Sequence, residues 1–293
     1  MKKYVQFALL AGLVVGLASL PVFAAQNQQP AGQPAQSSSG TQAAPATPAA
    51  SGQAQPGQPA VAQPDPAEEK AYNAFFNVSP TNPQQMASSG EAFVKKYPNS
   101  RYNATVYSRL TAAYEALGDA TKMFDAGHKA LALNPDDVDV LSLMAYAIPR
   151  RINPNDLEAP QKLQEATQDA DHALALLSKM QKPANLSEQQ FTTAVNGESA
   201  SCHSGLGLVD YYQHNIPGMV SEFQQAVKLD PTPDPADQYL LGLAYLQATR
   251  PADAVTVLNE CGAESGPLQS RCQSSLAQAK KLAAAATPTP AKP

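Results

Sequence analysis

Leu206-Gly207 returns 35 residues later as Leu241-Gly242, and the residues around the pair return with it. In the later copy Tyr245 follows at helical spacing. Arg250-Pro251 then restarts the chain, and Ala254, Leu258 and Cys261 succeed one another at intervals of four and three. In the earlier copy His214-Asn215 is the break, Pro217 opens the second run, and Met219, Phe223, Ala226 and Pro231 complete it. A third copy lies upstream, with Tyr107, Leu110 and Tyr114, then Gly118-Asp119, then Met123, Gly127 and Ala130, closed by Asn134-Pro135. Spacings of three and four place residues on one face of a helix. Pro suits the first position of a helix and not its interior. A period of this length describes a helix pair that cannot bury its apolar face alone and must stack on its neighbours. No sustained period-two alternation competes, so the expected fold is all-α.

These residues resemble the tetratricopeptide repeat, whose period is about 34 residues and whose pattern is a bulky residue, Leu-Gly and Tyr, then Ala, Phe, Ala and Pro. The resemblance covers most of residues 67–285. It implies an α-solenoid of four to five helix pairs, with repeats near 67–100, 104–137, 138–183, 187–231 and 235–265 and a cap over 267–283. Two copies depart from the pattern. The first has a short, weakly patterned opening helix and a second helix from Pro83 to Tyr97. The run after Ala92, from Phe93 to Ser100, resembles repeats of periplasmic and outer-membrane assembly proteins. The copy starting at Val138 carries Leu141, Met144, Ala145 and Ile148. It is then interrupted by Pro149-Arg150-Arg151-Ile152-Asn153-Pro154 and resumes from about Leu157 to Met180, with Ala166, Ala170 and Ala173 as its packing face. It holds about nine residues more than the family frame, either a loop on a binding face or a neutral insertion. Ser187 and Gln190 have the spacing of a capping box and open a long helix towards Gln213. The implied core includes Ala130, Ala173 and Ala226 where helices approach, with Leu110, Tyr114, Phe223 and Tyr245 filling the gaps.

The N-terminus has Lys2 and Lys3, an uncharged apolar run from Phe7 to Leu20, and Val22-Phe23-Ala24, the layout of a secretory signal peptide over residues 1–24. A retained inner-membrane anchor facing the periplasm is the alternative, since the run nearly reaches the ~20 residues of a spanning helix. Cleavage would move the formal charge from −5 to −7 by removing the two lysines. An acidic chain without a basic stripe argues against nucleic acid as partner. Residues 25–66 are Pro-, Gln- and Ala-rich with no apolar periodicity, and are expected to form a disordered linker, as is the tail over 286–293. The expected location is the periplasm or outside the cell.

Export permits disulfides. In the repeat frame Cys261, late in the last repeat, faces Cys272, one turn into the cap, which implies a Cys261–Cys272 bond. Cys202 is then left over as a small core residue. His203, Asp210 and His214 lie at intervals of seven and four without an evident third metal ligand. His128 and His172 have no partner at a diagnostic spacing. No phosphate loop, nucleophile elbow or zinc-protease motif is present, so no cofactor, metal or catalytic residue is expected. In the resembled family the concave surface is lined by the first helix of each pair. The frame assigns to it Ser108, Ala112 and Glu115, then Ser142 and Tyr146, then Ser204, Leu208, Tyr211 and Tyr212, then Tyr239, Leu243 and Gln247. Tyr211 and Tyr245 are expected to pack between helices. The Lys and Asn positions that clamp a C-terminal carboxylate in some members are not matched. The surface reads as neutral and Tyr-rich, suited to a protein or peptide. Three functions stay open: an envelope scaffold or adaptor, a structural tether held by a retained anchor, and an accessory subunit of an envelope enzyme. The oligomeric state is not encoded in any of these features.

Overall fold

A computed structural model of the chain describes residues 65–286. The signal segment 1–24, the linker as far as residue 64 and the tail beyond 286 lie outside the described residues. Eleven helices follow one another, with no strand among the described residues: α1 Pro66–Phe76, α2 Pro83–Lys96, α3 Asn103–Leu117, α4 Ala120–Leu133, α5 Val138–Arg151, α6 Ala159–Leu177, α7 Glu188–Tyr212, α8 Ile216–Leu229, α9 Pro235–Gln247, α10 Pro251–Ala263 and α11 Gln269–Ala286. Every substantial helix contact joins neighbours or next neighbours in the chain. That is the contact pattern of a solenoid, here five helix pairs closed by α11. Among the described residues no helix is long and apolar enough to cross a membrane.

The boundaries follow from local chemistry. Asp119, Asp137 and Asn215 accept from backbone amides of the first turns of α4, α5 and α8, satisfying donors the helix leaves open. Ser187 and Gln190 form a reciprocal capping box at α7. Pro83, Pro217, Pro235 and Pro251 stand in first turns, where a missing N–H costs nothing. The bend between first and second helices passes through the left-handed region at Gly118, φ 73°, at His214, φ 57°, and at Thr249, φ 54°. Glycine fits there, and a β-branched residue does not. Thr249→Gly is therefore expected to stabilise the protein by about 1 kcal/mol, read as a higher denaturant midpoint at unchanged slope.

Ala130, Ala173 and Ala226 are buried where helices approach, and Leu110, Tyr114, Phe223 and Tyr245 fill the spaces between them. Tyr245 also accepts a hydrogen bond from Gln224 Nε2 at 2.8 Å. Tyr211 is 42% exposed, which corrects its expected place between helices. The expected interruption at Pro149 is also corrected, because α5 runs through it to Arg151. Proline removes one helical N–H and frees the carbonyl four residues back, that of Ala145. Gly205 of α7 lies directly against that carbonyl. The proline defect thus becomes the seat of a close helix–helix approach instead of a helix end. The enlarged third unit puts its extra residues into the 152–158 connection, where Leu157 is fully outside the core, and into the 19-residue α6.

Candidate interaction face and its polar floor

Because α5 continues through Pro149, two arginines stand on its last turn. Arg151, at the end of α5, reaches back to α3 and donates twice to Glu115, at 2.8 Å to Oε1 and 2.6 Å to Oε2. Arg150 reaches forward. Its Nη2 donates to Ser204 Oγ of α7 and, at 3.1 Å, to Asp237 Oδ1 of α9. Ser204 Oγ also donates to Asp237. The guanidinium lies 3.5 Å from the centre of the Tyr146 ring, a cation–π stack. One continuous face therefore joins α3, α5, α7 and α9, the first helices of four successive pairs. Its charged side chains are largely covered: those of Arg150 and Asp237 are 18% and 9% exposed.

This face sorts the eight positions assigned from the sequence into two groups. Ser108, Glu115, Ser142 and Ser204 are buried and form its floor. Ser108 bonds to the Asp137 carboxylate, and Ser142 accepts from the Cys202 thiol at 3.5 Å. Tyr146, Tyr212 and Tyr239 are half-buried, and Gln247 is exposed. Tyr212 meets Tyr211 edge-on, with ring centres 5.4 Å apart. Gln247 lies apart from the others, in an open cleft of about 600 Å³ lined by Ile216, Pro217, Val220, Gln224 and Arg250. Sequence reading missed Arg150, Arg151 and Asp237. On this face Arg150 and Arg151 are each met by a carboxylate, those of Asp237 and Glu115. The signal available in the sequence was an Arg pair one turn after a Tyr, hidden by the expectation that Pro149 ends the helix.

Below the floor, where α5 meets α7, the acidic residues outnumber their partners. Both carboxylate oxygens of Asp139 and one of Glu198 are shielded from solvent without a hydrogen-bond partner. Burial, with the nearby Asp137 carboxylate, pushes Asp139 up to about 7. Burial and then the Asp139 charge push Glu198 well above the usual carboxylate range. Asp169 of α6 is likewise pushed up to about 7 by burial and then by Glu165. Raised carboxyl values mean that the folded chain holds more protons than the unfolded chain between about pH 4 and 7. Unfolding free energy is then highest below the ordinary carboxylate range and falls as pH rises towards 7. Removing one acid relieves this, so Glu198→Gln is expected to raise stability at pH 8 by about 1–3 kcal/mol and to flatten the decline. Denaturant titrations at pH 5 and pH 8 check both.

The remaining polar candidates make separate local pairs. His203 pairs with Glu222 of α8 at 2.7 Å, Asp210 accepts from Asn215, and His214 makes the turn, so the three do not converge. His128 and His172 do have carboxylate partners, Glu165 at 2.7 Å and Asp136 at 2.9 Å, contributed by other parts of the array and so invisible as a local spacing. Among the described residues no group of three or more His, Cys, Asp or Glu is arranged to hold a metal ion. Cys261 and Cys272 are bonded, with Cα atoms 5.8 Å apart. Cys202 is buried, and burial pushes its thiol up to about 12, which removes nucleophilic character.

No family model matches the sequence, and no curated protein matches it either. Solved structures do. PilW, described as a widely conserved type IV pilus biogenesis factor, is similar with a TM-score of 0.51 and 14% identity over 76% of this chain and 90% of its own. TTC0263, a tetratricopeptide-repeat protein of Thermus thermophilus, gives a TM-score of 0.43 at 16% identity over 73% of this chain and 99% of its own. A tetratricopeptide-repeat protein of Parabacteroides merdae gives 0.37 at 13% identity over 75% and 94%. At 14% identity the likeness to PilW concerns the fold alone: the described residues form an all-α solenoid of stacked helix pairs, the architecture implied by the resemblance to the tetratricopeptide repeat.

Proposed function

We propose that this chain is a non-catalytic scaffold or adaptor of the bacterial cell envelope, which holds an extended peptide or a partner domain against the row formed by α3, α5, α7 and α9. The observation that carries the reading is the division of labour on that face. Its charges are spent on one another, Arg150 with Asp237 and Arg151 with Glu115. Tyr146, Tyr212 and Tyr239 keep part of their rings uncovered. Tyrosine gives large contact area at little entropy cost and a hydroxyl for a partner's backbone. A floor closed by its own ion pairs has little to offer a partner's charge, so recognition through shape and neutral contacts fits best.

The envelope setting is supported by Lys2, Lys3 and the apolar run to Leu20, and by the Cys261–Cys272 bond, which belongs in an oxidising compartment. PilW, of similar fold, is a pilus biogenesis factor, a precedent for this architecture in assembly. Under this reading Tyr212→Ala combined with Tyr239→Ala weakens capture of partners from a crosslinked envelope extract by about tenfold, at an unchanged melting temperature. Unchanged capture by a folded double variant would sink the assignment of this face.

A further inference from the structure

From its attachment to the array we infer that α11 is a redox-releasable cap, held on the last helix pair by the Cys261–Cys272 bond and detached when that bond is reduced. The argument begins with what α11 buries. Of its 18 residues only Cys272 and Ala279 are buried, both small. Leu276 is only half-buried against the core, and Leu282 is 44% exposed. The preceding helix, α10, buries Ala254, Val257, Leu258, Cys261 and Gly262 in 13 residues. A helix gains most of its stability in a protein from its packed apolar face, and α11 has little of one.

Two polar attachments lie at the same corner as the disulfide. Gln273 Nε2 donates to Gly262 O at 3.1 Å, and Gln269 Nε2 donates to the same oxygen at 3.5 Å. Cys261 is 1% exposed and Cys272 fully buried, so the covalent link sits at the root of the cap. The stretch from Ser274 to Ala286 extends beyond it, with Ala279 as its sole buried residue. The bond does for α11 what a row of leucines does elsewhere: it keeps the helix close to its seat. The step that releases it is thiol–disulfide exchange with a dithiol reductant. The S–S bond breaks, its two sulfurs take two electrons and two protons to become thiols, and the reductant's two thiols become a disulfide. Cys202 has no part in it, being a free thiol that donates to Ser142 of α5, far along the array from the cap.

Release is local if the cap behaves as a separate unit of the array. The test is peptide-level hydrogen exchange on the full chain, oxidised and after treatment with a dithiol, beside the Cys261→Ser/Cys272→Ser double variant without reductant. Reduction and the double variant are each expected to speed exchange in 273–286 by about 100-fold, the effect of losing a short closed loop. Exchange in α3 to α8 should stay within about threefold of the oxidised protein. Protection of 273–286 that survives both treatments would overturn the inference, because packing alone would then hold the cap. Loss of protection along the whole array would overturn it too, because α11 would not be a separable element.

Discussion

Gly205→Ala is expected to be among the most damaging single substitutions in the chain. A Cβ at 205 would press into the carbonyl of Ala145, 2.8 Å from its carbon and 3.3 Å from the nitrogen of Tyr146. These are backbone atoms of α5, and backbone cannot turn aside as a side chain can. Gly242 provides the contrast: a Cβ there meets the side chain of Leu258, which has rotamers to yield. Forcing α5 and α7 apart strains the joint in the middle of the solenoid and weakens packing on both sides. A loss of about 3 kcal/mol follows, at the upper end for overpacking, or about 6–12 °C in melting temperature for an array of this size. Since each unit depends on its neighbours, the melt should also broaden or split, with α1–α4 and α8–α11 losing structure at different temperatures. Circular dichroism melts of Gly205→Ala beside Gly242→Ala test this. Equal, small losses in both would contradict the close approach.

Arg150→Ala has the second large effect, for an electrostatic reason. Asp237 is 9% exposed and pairs with Arg150, so removing the guanidinium takes a cation away from a buried carboxylate that still accepts from Ser204. Breaking such a pair from one side costs far more than the pair itself contributes. With the partial exposure of Arg150 allowed for, the expected loss is about 3 kcal/mol. Arg150→Met with Asp237→Asn should recover most of it, since neither charge is then left alone. The single variant also removes the Arg150 hydrogen bond to Ser204 and unstacks Tyr146, so it should alter the face as well as weaken it. Chemical denaturation of the two single variants and the double variant gives the coupling energy directly. A coupling near zero would show that these residues do not act as one network.

The repeat was legible because it is a matter of period. Leu206-Gly207 and Leu241-Gly242 share a frame, Ser187 and Gln190 are a local cap, and Gly118-Asp119 is a local stop; none needs the rest of the chain. The network was not legible because its members lie far apart in sequence. Arg150 and Asp237 are separated by 87 residues, and periodicity cannot show which long side chains meet across three helices. Pro149 misled for a related reason. Propensity gives proline the role of helix breaker, whereas in the fold the carbonyl it frees receives Gly205. The positions taken from the repeat frame lie on α3, α5, α7 and α9. Which of them stayed open to solvent was decided by neighbours. The serines sank into the floor beside acids and arginines, while the larger tyrosines kept an edge outside.

The most direct measurement for the proposed role is site-specific photocrosslinking in the native envelope. A photoreactive residue replaces Tyr239, on the proposed face, in one variant. In the other it replaces Leu133, which is 56% exposed at the end of the second helix α4. Discrete adducts with the same partner are expected from position 239 and none from position 133. Adducts from 133 alone, with position 239 silent in a folded protein, would contradict binding on the row of first helices.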